Sequence, residues 1–289
     1  MCHRCEPSVA SFLAVAFWTA SRGPGGRLRQ RLVSAGSGPR QGRTGRHRHR
    51  RGTGHQRRSQ GRGPQRGRLA WWAGRSWPIE SPVTAEMTVQ SLLKHWREVG
   101  LPGYAQFDND MIFHSTHRYP DSLGRVIRVC LSLGVVPVFV PPRETGFQGM
   151  IESYNGWCQA KVWSRFQHHD LPDLQVHSDK YVEALLKQRA ARIEAAPDRR
   201  PFPGDWKLNL KKRPSGRLVY LRRSNGKSEV ELLGRTRALG QIWPSRLVRC
   251  EVDLEDDKIR FYTIRRKGTT GQPKILEVDY RLPNGGFQD

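Results

Sequence analysis

Aspartate is missing from the chain until Asp108, and lysine until Lys94. Cysteine is scarce: the five thiols, at positions 2, 5, 130, 158 and 250, have no paired spacing beyond Cys2-x-x-Cys5. That excludes a disulfide scaffold and a complete Cys-based zinc site, and it fits a reducing compartment. No run reaches the roughly 18–20 apolar residues that a bilayer helix needs, so an integral helical membrane protein is excluded. The short apolar run Val9–Ala20 has no small-x-small cleavage site after it and is not read as an export signal. What the chain has in excess is positive charge. Fifty Lys+Arg stand against 26 Asp+Glu, giving a formal net charge of +24, a pI of ≈ 10.8 and a mean hydropathy of −0.68. A surplus of this size points to a polyanionic partner.

The length of 289 residues allows about two domains, and the composition changes along it. Residues 1–80 hold 17 Arg, no Lys, two Glu and no Asp. From Ser21 to Arg68 the chain is Arg, Gly, Gln, Ser and Pro with scattered His, too poor in apolar side chains to offset the entropy of folding. A disordered Arg/Gly-rich tail is expected there. The same bias is what GC-rich DNA read out of frame encodes.

Residues 81–200 predict an α/β arrangement. Thr84 suits an N-cap, and Val89, Leu92, Leu93, Trp96 and Val99 follow helical spacing up to Gly100. A short strand, Tyr104–Phe107, delivers Asp108-Asn109-Asp110 at its end. A second helix is expected from Pro120, with the face Leu123, Val126, Ile127, Cys130 and Leu131. Val135–Val140 reads as a strand buried on both faces. A third helix carries Met150, Ile151, Tyr154, Trp157, Cys158 and Val162. The layout is expected as a core over 81–170 and a helical connector over 171–204, its helix capped by Ser178 and running to about Ala196. Residues 205–289 change to a strand period at Arg217–Arg222, Glu229–Leu233, Leu247–Val252 and Lys258–Arg265, with turns at Asn225-Gly226 and Asp256-Asp257. A small β-barrel is expected there.

Two acidic residues stand out. Asp108 ends a strand beside Asn109, and Glu152 sits at the start of a helix with Asn155 on the same face. In a strongly basic chain a carboxylate near a bound polyanion is repulsive unless a divalent cation lies between them. Spacing alone fits either a pair of metal ligands or a strand-end Asp and a dipole-favoured Glu.

The ordered pattern Gln106-Phe107-Asp108-Asn109-Asp110, Gly134-Val135, Pro141-Pro142 and Gly149-x-x-Glu152-x-x-Asn155 resembles the catalytic core of the integrase-like DDE transposases of bacterial insertion sequences. The resemblance covers about residues 84–200. It implies a partial RNase H-like core followed by a DNA-binding barrel, and catalysis by Asp108 and Glu152 around Mg²⁺ or Mn²⁺, with Asn109 and Asn155 in support. It also implies double-stranded DNA as partner, at element ends and target, a homo-oligomer on two DNA ends, and a cytoplasmic, nucleoid-associated location. Arg143, Lys161, Arg165, Arg222, Arg223, Arg246, Arg265, Arg266 and Lys267 are then the expected DNA contacts.

The first acid of that triad has no counterpart here, because no Asp precedes Asp108 and the only earlier acids are Glu6, Glu80, Glu86 and Glu98. The chain is accordingly expected to be truncated or frame-disrupted at its N-terminus, to leave one sheet edge bare, and to lack strand cleavage. Two other readings are a non-catalytic DNA-binding remnant and a basic RNA-associated protein. Trp157, Trp163, Trp206 and Trp243 are read as core or contact residues in preference to base-stacking ones. His168-His169 and His114-x-x-His117 are read as surface polar residues.

Overall fold

The computed structural model describes residues 84–113, 120–144, 147, 154, 157–191, 199–240, 243–264 and 272–283, with the backbone of 16–18. The expected tail otherwise lies outside the described residues. Helix α1, Ala85–Val99, starts where the sequence places it. The Thr84 hydroxyl accepts from the Met87 amide at 3.2 Å, and Glu86 sits in the first turn, where a helix favours negative charge. Val89, Leu92, Leu93 and Trp96 are buried. Gly100 ends the helix at φ 82, and a Cβ there would come within 2.9 Å of the Arg200 carbonyl oxygen, so only glycine fits.

Strand β2, Tyr104–Phe107, and strand β3, Val136–Phe139, pair in parallel, joined through helix α2, Arg125–Ser132. Helix α2 begins after Gly124, later than Pro120 suggests; its apolar stripe is buried as expected, with Val126, Ile127 and Cys130 on it. Three tail residues, strand β1 at Ala16–Trp18, pair antiparallel with β2, on the edge the sequence leaves bare.

The C-terminal strands extend the same sheet. Strand β4, Arg217–Arg223, lies parallel to β3 with Phe139 opposite Tyr220. Strands β7 (Leu247–Asp253), β8 (Lys258–Thr263) and β9 (Lys274–Asp279) follow as an antiparallel meander. The order is β1-β2-β3-β4-β7-β8-β9, a mixed sheet of six strands beyond the short β1, flanked by helices. Strands β5 (Glu229–Leu232) and β6 (Arg235–Ala238) form a separate hairpin. The sheet therefore runs straight across the boundary expected near residue 204. One hydrophobic core does the same, from Val89 to Leu282. Its centre is an aromatic row across three strands: Phe107 to Phe139 at 5.7 Å between centroids, and Phe139 stacked on Tyr220 at 4.9 Å.

The hairpin is held to the α/β part by charge. Asp121 is buried and pairs with Arg235 and, at 3.9 Å, with Arg237, while its amide donates to the Leu233 carbonyl at 2.9 Å. These two arginines are structural partners.

Helix α3, Leu171–Gln188, is capped by Asp170, whose carboxylate accepts the Asp173 amide at 2.8 Å. The sequence places the cap at Ser178, but Ser178 is a buried residue inside the helix. Asp173 in turn accepts the amide of His169, the residue before the cap, at 3.2 Å, so both carboxylates brace the start of the helix.

Candidate functional site

Two regions gather the chemistry. The first lies at the carboxyl ends of the parallel strands β2, β3 and β4, the place where open α/β sheets form their crevices. Asp108 follows β2 directly, and its Oδ1 accepts the Asp110 amide at 3.0 Å. Asp110 Oδ1 accepts the Ile112 amide at 3.0 Å, so the Asp-Asn-Asp stretch is a run of side-chain-braced turns. Asn109 Nδ2 donates to the Val140 carbonyl at the end of β3, at 2.6 Å. Arg222, near the end of β4, donates to the same carbonyl at 3.3 Å and to the Leu221 carbonyl at 2.9 Å, with its guanidinium 4.8 Å above the Tyr220 ring. One carbonyl oxygen thus ties all three strand ends together.

Burial pushes the Asp108 carboxyl above the ordinary aspartate range; the nearby Asp110 charge adds to this and the Asp110 amide opposes it. Burial likewise lowers the Arg222 guanidinium. Arg222 is only 9% exposed. It braces the strand ends and does not face a solvent-borne DNA backbone. Arg223 pairs with Glu144 and donates to the Ser245 carbonyl at 2.9 Å, and Arg246 lies 4.7 Å over the Trp243 ring. Arg143 is exposed in the loop after β3. Glu152, Asn155, Arg265, Arg266 and Lys267 lie outside the described residues, as does His114-x-x-His117.

The Mg²⁺ or Mn²⁺ implied by the resemblance needs several hard oxygens from separate strands. The chain has no upstream aspartate, and among the described residues Asp108 belongs to no group of three metal-ligating side chains. The described donors do not make a two-ion site.

The second region is a groove of about 850 Å³ between a π-helical turn, Gln159–Trp163, and α3. Lys161, Arg165, Lys180 and Arg189 line it, with no Asp or Glu among the described lining residues. Trp157 and Phe166 stand in it at 46% and 43% exposure, and Tyr181 adds a third ring. Arg189 sits 5.4 Å over Trp157 and Arg165 5.8 Å over Phe166. Lys161 and Arg165, two of the DNA contacts that the resemblance implies, both line the groove. Trp157 departs from the core reading, whereas Trp243 is buried and Trp206 packs against the core. Lys180 and Arg189 do not stand out in the sequence. Their spacing on one charged helix, 180 and 189 with Leu185 buried between them, is the only signal that could have found them.

His177, which lines the groove, converges with His168 and Asp173, the ligand atoms all within 4.8 Å of one another. His168 is not a bare surface residue: its side chain is 13% exposed. The sequence reading passed over Asp173 and His177; their spacing of one helical turn is the signal that could have found them.

No known family model matches the chain, and no curated protein matches it.

Proposed function

We propose that the chain is a DNA-binding protein of the integrase-like transposase kind, keeping the strand-end aspartate of such a core but lacking the acid set for strand cleavage. The observation that carries this reading is the groove, where four cations and exposed aromatic faces meet with no carboxylate among the described lining residues. Lysine and arginine neutralise phosphates and release counterions. Ring faces stack on unpaired bases regardless of sequence, where a duplex opens at its end. The place of Asp108 supports the lineage, since it ends a parallel strand with Asn109 beside it, as the resemblance implies. On this reading the α/β part is a partial RNase H-like core, and strands β4 and β7–β9, which continue its sheet, take the place of the expected DNA-binding barrel.

In an intact relative three acids would hold Mg²⁺ or Mn²⁺. Here Asp108 and Glu152 are the acids left for an ion, so we assign no cleavage step to this chain. The partner is double-stranded DNA at element ends and target, with two copies of the chain on two ends.

The test is binding of labelled duplex DNA, single-stranded DNA and RNA at several salt concentrations, followed by a nicking assay with Mg²⁺ and Mn²⁺. The expected result is salt-sensitive DNA binding without metal-dependent nicking. Preference for RNA over both DNA forms would replace the reading with an RNA-associated protein. Nicking that disappears in Asp108→Asn and Glu152→Gln proteins would show an active enzyme.

A further inference from the structure

His168 holds an arrangement that its own hydrogen bonds leave unbalanced. Its Nε2 lies 3.2 Å from the Val162 carbonyl oxygen, which can only accept, so in the neutral ring Nε2 carries the proton. Nδ1 is then a lone pair. It is buried, has no hydrogen-bond partner, and faces Asp173 Oδ2 at 3.9 Å. The other oxygen of the same carboxylate, Oδ1, lies 3.5 Å from His177 Nδ1. Two imidazoles therefore converge on the two oxygens of one aspartate, with a lone pair set against a negative charge. A cation between them relieves that repulsion.

We propose that His168, Asp173 and His177 form a binding site for a zinc-class divalent cation. Two nitrogens and one oxygen are a donor set that suits Zn²⁺ and its neighbours in the first transition row. Mg²⁺, which demands near-octahedral oxygen and keeps its waters, is selected against. Ligands at zinc distances in a tetrahedral site lie about 3.3 Å apart. The 3.5 Å from His177 to Asp173 is already close to that, while the 3.9 Å from His168 to Asp173, and the cluster as a whole, must contract on binding. The Val162 carbonyl supplies the outer hydrogen bond that fixes the tautomer and orientation of a ligating histidine. His177 Nδ1 also lies 3.1 Å from the Asp173 backbone oxygen, an interaction that metal binding through this nitrogen replaces.

Three protein ligands leave a fourth position open, and His177 also lines the basic groove. The ion would clamp the segment after the π-turn onto the start of α3. This site does not depend on the transposase reading, because its readout is metal uptake and not DNA chemistry.

The experiment compares the full chain with its H168Q/H177Q variant. Asp173 is left in place because its carboxylate also accepts the His169 amide at the start of α3. The tail also carries the metal-binding residue types Cys2, His3, Cys5 and further histidines, so the readout is the difference between the two proteins, which share that tail. Each is titrated with Zn²⁺ after treatment with EDTA, and again with Co²⁺ as a spectroscopic probe. The expected result is one additional Zn²⁺ per wild-type chain, its affinity at least about tenfold weaker in the variant. The extra Co²⁺ should give visible bands of a tetrahedral nitrogen–oxygen site without sulfur charge transfer. Equal melting temperatures of the two metal-free proteins guard against a folding artefact, and a His169→Gln protein should bind like wild type. Equal zinc uptake by wild type and double variant, or displacement of the extra Zn²⁺ by equimolar Mg²⁺, would overturn the proposal. So would a change in His168 and His177 protonation alone, with no extra metal bound.

Discussion

Asp108 is costly where it stands. Its carboxyl is raised because burial disfavours the charged form, and no cation among the described residues pairs with it. Below the ordinary aspartate pKa the group is protonated whether the chain is folded or not, and nothing is lost. As the pH rises, the unfolded chain ionises first and the folded state resists, so a penalty develops and persists at neutral pH. Asp108→Asn keeps the acceptor for the Asp110 amide and removes the charge. Its melting temperature is expected to exceed that of wild type at pH 7 and to match it near pH 3. A lower melting temperature at pH 7 would contradict this account. Trp96 is the opposite case, a residue that only stabilises: it is fully buried in α1, and Trp96→Ala is expected to cost about 3–5 kcal/mol in urea unfolding. The buried Cys250 thiol, pushed up to about 12 by burial, is expected to stay unreactive toward thiol reagents until the chain unfolds. Arg222 shows what residue type hides. In the sequence it is one of many cations, and only the parallel docking of β4 against β3 turns it into an internal brace.

At the scale of elements, helical periodicity was the readable part. Val89, Leu92, Leu93 and Trp96 give α1 directly, and the stripe from Val126 to Leu131 gives α2. The start of α3 was not readable in the same way, because an apolar-first reading looks past Asp170 to a serine further along the helix. Asp170→Ala is expected to destabilise the chain by about 1 kcal/mol, measured as a shift in the urea midpoint. Ser178→Ala should shift it far less. Strands β6 and β9 escaped the sequence reading for different reasons. Strand β6 is Arg-Thr-Arg-Ala and exposed along most of its length, and β9 closes the meander at an edge with a bulge in its pairing. The groove was half legible: Lys161 and Arg165 were named through the resemblance, while Lys180 and Arg189 come from an element that meets them only in space.

The described residues are organised around one main sheet and one main core, which no count of strands along the sequence implies. Because β3 and β4 are hydrogen-bonded neighbours and the core extends from Val89 to Leu282, residues 84–283 are expected to unfold in a single cooperative transition. Two separate calorimetric transitions would mean that the strands after residue 205 form a unit of their own. The central claim is that the groove between the π-turn and α3 is where nucleic acid binds. It is tested most directly by the salt dependence of duplex binding to wild type and to K161E/R165E/K180E. Removing one cation that neutralises a phosphate lowers the slope of log K against log salt by about 0.9, so the triple variant should bind more weakly with a slope smaller by about 2–3. An unchanged affinity and slope would contradict the account.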